Sequence, residues 1–202
     1  MRLPPGEFLR LPLRVHTFLD DVPLRDVSAI DLPGGGEGRS VGDVRAFIPF
    51  GSASAGSATR LLFRIRWAVG RVFDWDDDRH ANSDSFVSRL TANDLRASRL
   101  KAGTSDGEFC SLYEFDRESL AEVRNRTVHA FLCTALVRTS SGYRLYFAVY
   151  VRPVSWLTAP YMAAIEPFRR FVVYPAMMRR VRRAWEEEYG TGPGTRSTQA
   201  PR

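Results

Sequence analysis

Residues 127–153 read TVHAFLCTALVRTSSGYRLYFAVYVRP. Two runs rich in β-branched and aromatic residues flank Ser140-Ser141-Gly142, a turn signal, and this pattern predicts an antiparallel hairpin. Alternation along the first strand sets Thr127, His129, Phe131 and Cys133 on one face. Along the second it sets Arg144, Tyr146, Ala148, Tyr150 and Arg152 on one face and Leu145, Phe147, Val149 and Val151 on the other. Both faces carry apolar side chains, so both must be covered. The wholly apolar face is the one expected to meet a helix. Pro153 ends the ladder because it has no N–H to donate.

Working outward, Glu108–Phe115 (EFCSLYEF) and Leu120–Asn125 read as further strands. Downstream, a helical element runs from about Leu157 to Tyr189. Its first half aligns Tyr161, Ile165, Phe168 and Val172, and its second half aligns Tyr174, Met178, Val181 and Trp185. At helical spacing the two stripes point about 140° apart. Pro175 sits at the change of phase and lacks a helical donor, so two helices or one sharply kinked helix are expected. Upstream, Thr59–Trp75 reads as a helix through Leu62, Ile65, Val69 and Val72, preceded by a small-residue linker at Gly51–Gly56. Asp74, Asp76, Asp77 and Asp78 follow it, without the alternation, glycine or terminal Glu of a calcium loop, and read as a solvated turn. Leu32–Gly42 (LPGGGEGRSVG) satisfies no phosphate-binding pattern and reads as a flexible connector. Residues 1–13, with Pro4, Pro5 and Pro12, look extended. The organisation expected is a lead-in strand and glycine-rich loop over 1–39, one domain over 40–189, and a disordered tail over 190–202.

The 202 residues carry 29 basic and 23 acidic groups. Six arginines, at positions 169, 170, 179, 180, 182 and 183, lie between Phe168 and Arg183 with no acid among them. Without them the charges balance. Such a face attracts phosphate, nucleic acid or anionic lipid, or is a solvated helix face balanced by Glu186, Glu187 and Glu188. No nucleic-acid motif accompanies it, so no nucleic-acid partner is expected. Lys101 is the only lysine, which disfavours lysine-dependent catalysis. Cys110 and Cys133 have no metal-ligand spacing and read as buried free thiols; no metal and no cofactor are expected. No apolar run approaches the roughly 18 residues of a membrane span, and the N-terminus lacks a secretory h-region, so the cytoplasm is the expected location.

The segments EVRNRTVHAFL, FAVYVRP and YMAAIEPFRRFVVYPAMMRRVRRAW, between Glu122 and Trp185, resemble domain-of-unknown-function family 2867, a bacterial family. LLFRIRWAVGRVFDWD, from Leu61 to Asp76, is similar to that family's earlier signature. The order of strand, helices, antiparallel strands and long terminal helix is similar to the helix-grip (START-like, polyketide-cyclase-like) architecture. The fold class expected is therefore α+β, a curved antiparallel sheet wrapped around a long, kinked C-terminal helix. Few strand signals lie between Asp76 and Glu108 for a complete sheet of that kind.

By that analogy an elongated apolar cavity lies between sheet and C-terminal helix. His129, mounted on a strand, is the sharpest acid–base candidate, with Glu114 and Glu122 as carboxylates that orient it or act as bases. Tyr113, Asn125, Thr127, Phe131, Tyr161 and Arg169 are the ligand-binding candidates. Against each stands an ordinary structural role: a satisfied core histidine, exposed strand carboxylates, aromatic packing or a turn-supporting asparagine. No nucleophile motif is present. The expected function is binding of a hydrophobic, lipid- or polyketide-like small molecule, with cyclisation, dehydration or isomerisation by acid–base chemistry as the catalytic version. The alternatives are a lipid-binding or membrane-peripheral module that uses the arginine face on anionic membrane, or a homodimeric interaction module.

Overall fold

A computed structural model describes residues 4–48, 85–107, 109–124, 128–154 and 158–190. The expected helix at Thr59–Trp75, its preceding linker, the aspartate run and the tail beyond Gly190 lie outside the described residues. Two short helices, α1 (Pro5–Leu9) and α2 (Val15–Phe18), precede β1 (Leu24–Pro33) and α3 (Val41–Arg45). A 3₁₀ turn (Phe86–Arg89) and α4 (Ala92–Ala97) lead to β2 (Ser105–Asp106), β3 (Phe109–Glu114), β4 (Glu118–Arg124), β5 (Val128–Thr139) and β6 (Gly142–Pro153). The chain closes with α5 (Thr158–Phe168), a π-helical turn (Arg169–Val173) and α6 (Tyr174–Tyr189). At positions 160, 161, 164, 165, 168 and 169 only the backbone is described.

The strands form one curved antiparallel sheet in the order β1-β6-β5-β4-β3-β2, consistent with the helix-grip arrangement. β5 and β6 are the expected hairpin, in register from Val128↔Pro153 to Thr139↔Gly142. β1, expected as part of a lead-in, is an edge strand paired with β6 along its length. Gly142 is required at the hairpin turn: its φ is +149°, and a Cβ there would overlap the Leu32 carbonyl. Among the described residues 85–107, the weak strand signals correspond to a β2 of only two residues.

Alternation in β6 divides the core as the sequence indicated. Leu145 and Phe147 pack with Met178, Val181 and Trp185 of α6, and Val149 and Val151 pack with Met162 of α5. On the opposite face Tyr146, Ala148 and Tyr150 join Phe131, Cys133 and Ala135 beneath Phe8, Leu13, Val15, Phe18, Leu19 and Val22. The N-terminal residues are therefore a covering arm with helical turns rather than an extended lead-in. Pro5 at the first position of α1 suits a helix start, and Phe8 is driven into the core.

The change of phase in the C-terminal element is made by the π-helical turn. Pro175, two residues into α6, has no N–H to return to the Phe171 carbonyl, and the wider turn absorbs that loss. Val173 is buried as a result and Val172, expected on the inner stripe, is exposed.

The glycine-rich segment is a clasp on α6. Gly35 (φ +88°) lies against Trp185 so closely that a Cβ would fall 2.5 Å from the indole ring. Trp185 donates its indole N–H to the Pro33 carbonyl (3.0 Å), and the Tyr143 hydroxyl donates to the Gly36 carbonyl (3.0 Å). Gly35→Ala, strained in backbone and in conflict with Trp185, is expected to lower unfolding free energy by about 2 kcal/mol in chemical denaturation.

The arm is pinned by charged contacts. Glu118 of β4 accepts the N–H groups of Arg14 (2.6 Å) and Val15 (3.4 Å), and Arg14 makes a two-pronged contact to Asp94 at 3.0 Å on each oxygen. Burial dominates at Glu118 and, despite those donors, pushes its pKa from 4.5 up to about 7. Asp94, hydrogen-bonded by Arg14 above all, is held down at about 2. The signs are opposite. Glu118 contributes stability that is full below about 4.5 and lost as pH rises through about 7, whereas the Asp94 contribution is present above 3.8 and lost as pH falls toward about 2. Relative to Glu118→Gln, the native chain is expected to lose about 3 kcal/mol of unfolding free energy between acidic and mildly alkaline buffer. Urea titrations across that pH range measure it.

Candidate functional site

Two places in the structure carry the features expected of a site, and they lie on opposite faces of the sheet. The first centres on Glu122 of β4 and His129 of β5, which alternation places on the face under the N-terminal arm. The Glu122 side chain is fully buried and His129 is 3 % exposed. His129 Nε2 lies 2.9 Å from Glu122 Oε2. The other Glu122 oxygen accepts the Ser85 hydroxyl (2.6 Å) and faces the Arg124 guanidinium (3.3 Å), while the Phe86 N–H adds a donor to Oε2 at 3.2 Å. Burial pushes the Glu122 carboxyl up, but the bonds from His129, Ser85 and Phe86, with Arg124 beside them, outweigh it and hold it below the ordinary value. An ionised carboxylate only accepts, so Nε2 carries the proton in this contact and the ring presents Nδ1 as its other nitrogen.

The imidazole is boxed by rings. Phe86 meets it edge-on at 5.0 Å and Phe131 lies tilted at 4.3 Å. Phe86 is itself held from outside by the Arg89 guanidinium, 3.6 Å above its ring, and Arg89 forks onto Asp21. Ser85 caps this 3₁₀ turn, accepting the Val87 N–H while donating to Glu122. The Glu122 carboxylate thereby joins β4, β5 and the turn at residues 85–89.

Of the other candidates, Phe131 belongs to this cluster. Tyr113 shares its face but not its contacts. It is fully buried, its hydroxyl has no hydrogen-bond partner among the described residues, and burial raises its pKa well above the ordinary value. Glu114 lies on the opposite face, where Arg45 of α3 reaches it at 3.3 Å, so it shares no site with His129. Asn125 and Thr127 lie outside the described residues. Tyr161 lies in α5 and Arg169 in the π-helical turn, with side chains outside the description. Cys133 is buried, as expected, and Cys110 only half-buried. Among the described residues no cluster of His, Cys, Asp and Glu is arranged to hold a metal ion.

The second place is a cleft of about 410 Å³ between β1 and the C-terminal helices. Asp26, Ser28 and Ile30 form its floor on β1. Tyr174, Pro175 and Met178 supply its apolar wall, and Arg170, Arg179 and Arg182 stand along it with Glu166. The helices close onto the sheet on both sides of it, with Trp185 and Val181 against Leu145 and Phe147, and Met162 against Val149 and Val151. The hollow is thus displaced from the hairpin toward the β1 edge. The sequence alone does not reveal the floor, because β1 falls within the segment that reads as a lead-in. Tyr174 and Met178 were visible only as a packing stripe, and the arginines only as a charged face.

Removing the Glu122 carboxylate strands four polar partners in a dry interior. Glu122→Ala is expected to cost about 3–5 kcal/mol of unfolding free energy, read by chemical denaturation, with Glu122→Gln milder because it keeps one acceptor.

No curated protein and no solved structure matches this chain. No described helix is long and apolar enough to cross a membrane. A family model does match, over residues 18–176, from the covering arm through β1 and the whole sheet to the start of α6. The chain belongs to the family described as a protein of unknown function (DUF2867).

Proposed function

We propose that the protein binds a hydrophobic small molecule, lipid- or polyketide-like, in the cleft between β1 and the C-terminal helices. The observation that carries this reading is the cleft itself. Its volume of about 410 Å³ falls in the range of ligand pockets, and its lining combines apolar groups with polar and charged ones. Ile30, Tyr174, Pro175 and Met178 accept a hydrocarbon or aromatic body, and the arginines along the helix favour a polar or anionic end. Helix and sheet pack solidly on either side, so the walls are preformed and little ordering opposes binding.

Acid–base catalysis is a second reading, and one contact favours it: the 2.9 Å pair in which Glu122 orients His129. That pair faces the N-terminal arm, so a molecule in the cleft does not touch it. In this reading binding in the cleft and chemistry at His129 are separate properties. His129→Gln is expected to leave cleft binding unchanged.

Ile30→Trp fills the floor of the cleft. Thermal-shift titration with a medium-chain fatty acid and with a neutral aromatic polyketide-like probe is expected to raise the wild-type Tm by several degrees with at least one probe. The same probes are expected to leave Ile30→Trp unshifted. No shift in the wild type, or an equal shift in both proteins, contradicts binding at this place.

A further inference from the structure

We propose that the π-helical turn at Arg169–Val173 and the arginines that follow it dock the protein on an anionic lipid surface. In an uninterrupted α-helix Phe171 precedes Met178 by two turns and shares its inward face. The wider turn breaks that phase. Met178 is buried at 7 %, Val173 at 8 %, and Phe171 stands out at 70 % exposure with Val172 beside it at 37 %. Burying a Phe side chain is strongly favourable, so a backbone irregularity that turns one outward leaves a large apolar surface unused by the fold.

The surroundings specify the partner. Arg170 lies against the Phe171 ring at 5.3 Å. Arg179 and Arg183, four residues apart on one stripe of α6, are exposed and have no ion pair among the described residues, whereas Arg182 is answered by Glu186 at 2.7 Å. No acid lies between Phe168 and Arg183; exposed Glu166 precedes the run, and Glu186, Glu187 and Glu188 follow it. A small aromatic–aliphatic tip with Arg170 against its ring, followed along the helix by exposed arginines, is too small for a stable protein interface and matches the boundary between phosphate headgroups and acyl chains. The aliphatic Val172 beside the ring favours acyl chains over stacked bases. The surface is continuous with the cleft, since Arg170 and Arg179 belong to both. It does not depend on the cleft being occupied.

Cosedimentation of the full chain with phosphatidylcholine–phosphatidylglycerol vesicles tests this, with phosphatidylcholine vesicles and a short DNA duplex as comparisons. Binding to the anionic vesicles is expected, weakened about tenfold by Phe171→Ser and about fivefold by Arg183→Ser, and weakened further by salt. Both positions are exposed, so thermal melts of the variants are expected to match the wild type. Lack of binding to anionic vesicles overturns the proposal. So does binding that is indifferent to Phe171→Ser, or binding equally strong on the duplex, which would mark a general polyanion surface.

Discussion

The β5–β6 hairpin is apolar on both faces, and the rest of the molecule is arranged to keep water from both of them. One face takes α5 and α6; the other takes the N-terminal arm with Phe86. Hydrophobic burial has no direction of its own, so each cover needs polar contacts to fix its place. On the helix side these are the Trp185 indole bond to Pro33 and the Tyr143 bond to Gly36. On the arm side they are made by carboxyl groups: Glu118 at the start of α2, Asp94 with Arg14, and Glu7 with both Arg144 and the Tyr146 hydroxyl. One cover is therefore fastened by neutral hydrogen bonds and the other by groups that titrate, so pH acts chiefly on the arm.

This division also separates the two candidate sites. Glu122 and His129 are oriented toward the arm by the same alternation that sends Leu132 toward the helices. A carboxylate with four donors in a dry interior is well suited to hold three chain segments together, and that role follows from the contacts whether or not chemistry occurs there. The cleft exists because α5 and α6 do not run as one straight rod. The π-helical turn and Pro175 change the direction of the inward stripe, and beside that change β1 presents Asp26 and Ser28 rather than bulky apolar groups. The irregularity that opens the cleft also turns Phe171 outward.

Much of the fold was legible in local text. The hairpin, its turn, the terminating Pro153, the helix-facing side of β6 and the broken terminal helix all follow from alternation, turn chemistry and proline. Less was legible where the information is tertiary. That β1 closes the sheet against the last strand depends on pairing between residues more than a hundred positions apart, which no local pattern reveals. Gly35 looked like a linker glycine, and only the Trp185 ring explains it. In the candidate site, His129 and Glu122 were recognisable as polar groups in apolar strands, and their register brings them together. Glu114, chosen on the same grounds, points the other way because a bulge between Ser111 and Tyr113 shifts its strand's register. The cleft residues Ser28, Ile30 and Met178 carry no signal beyond packing, because their role arises from an absence of neighbours.

The most direct measurement is a titration of isotope-labelled protein with an amphipathic ligand, followed by backbone amide NMR. The expected result is saturable shifts confined to Ser28, Ile30, Tyr174, Met178 and Arg179, with Glu122 and His129 unmoved. Shifts centred on Glu122, His129 and the arm over them would place the ligand on the wrong face of the sheet and contradict the assignment.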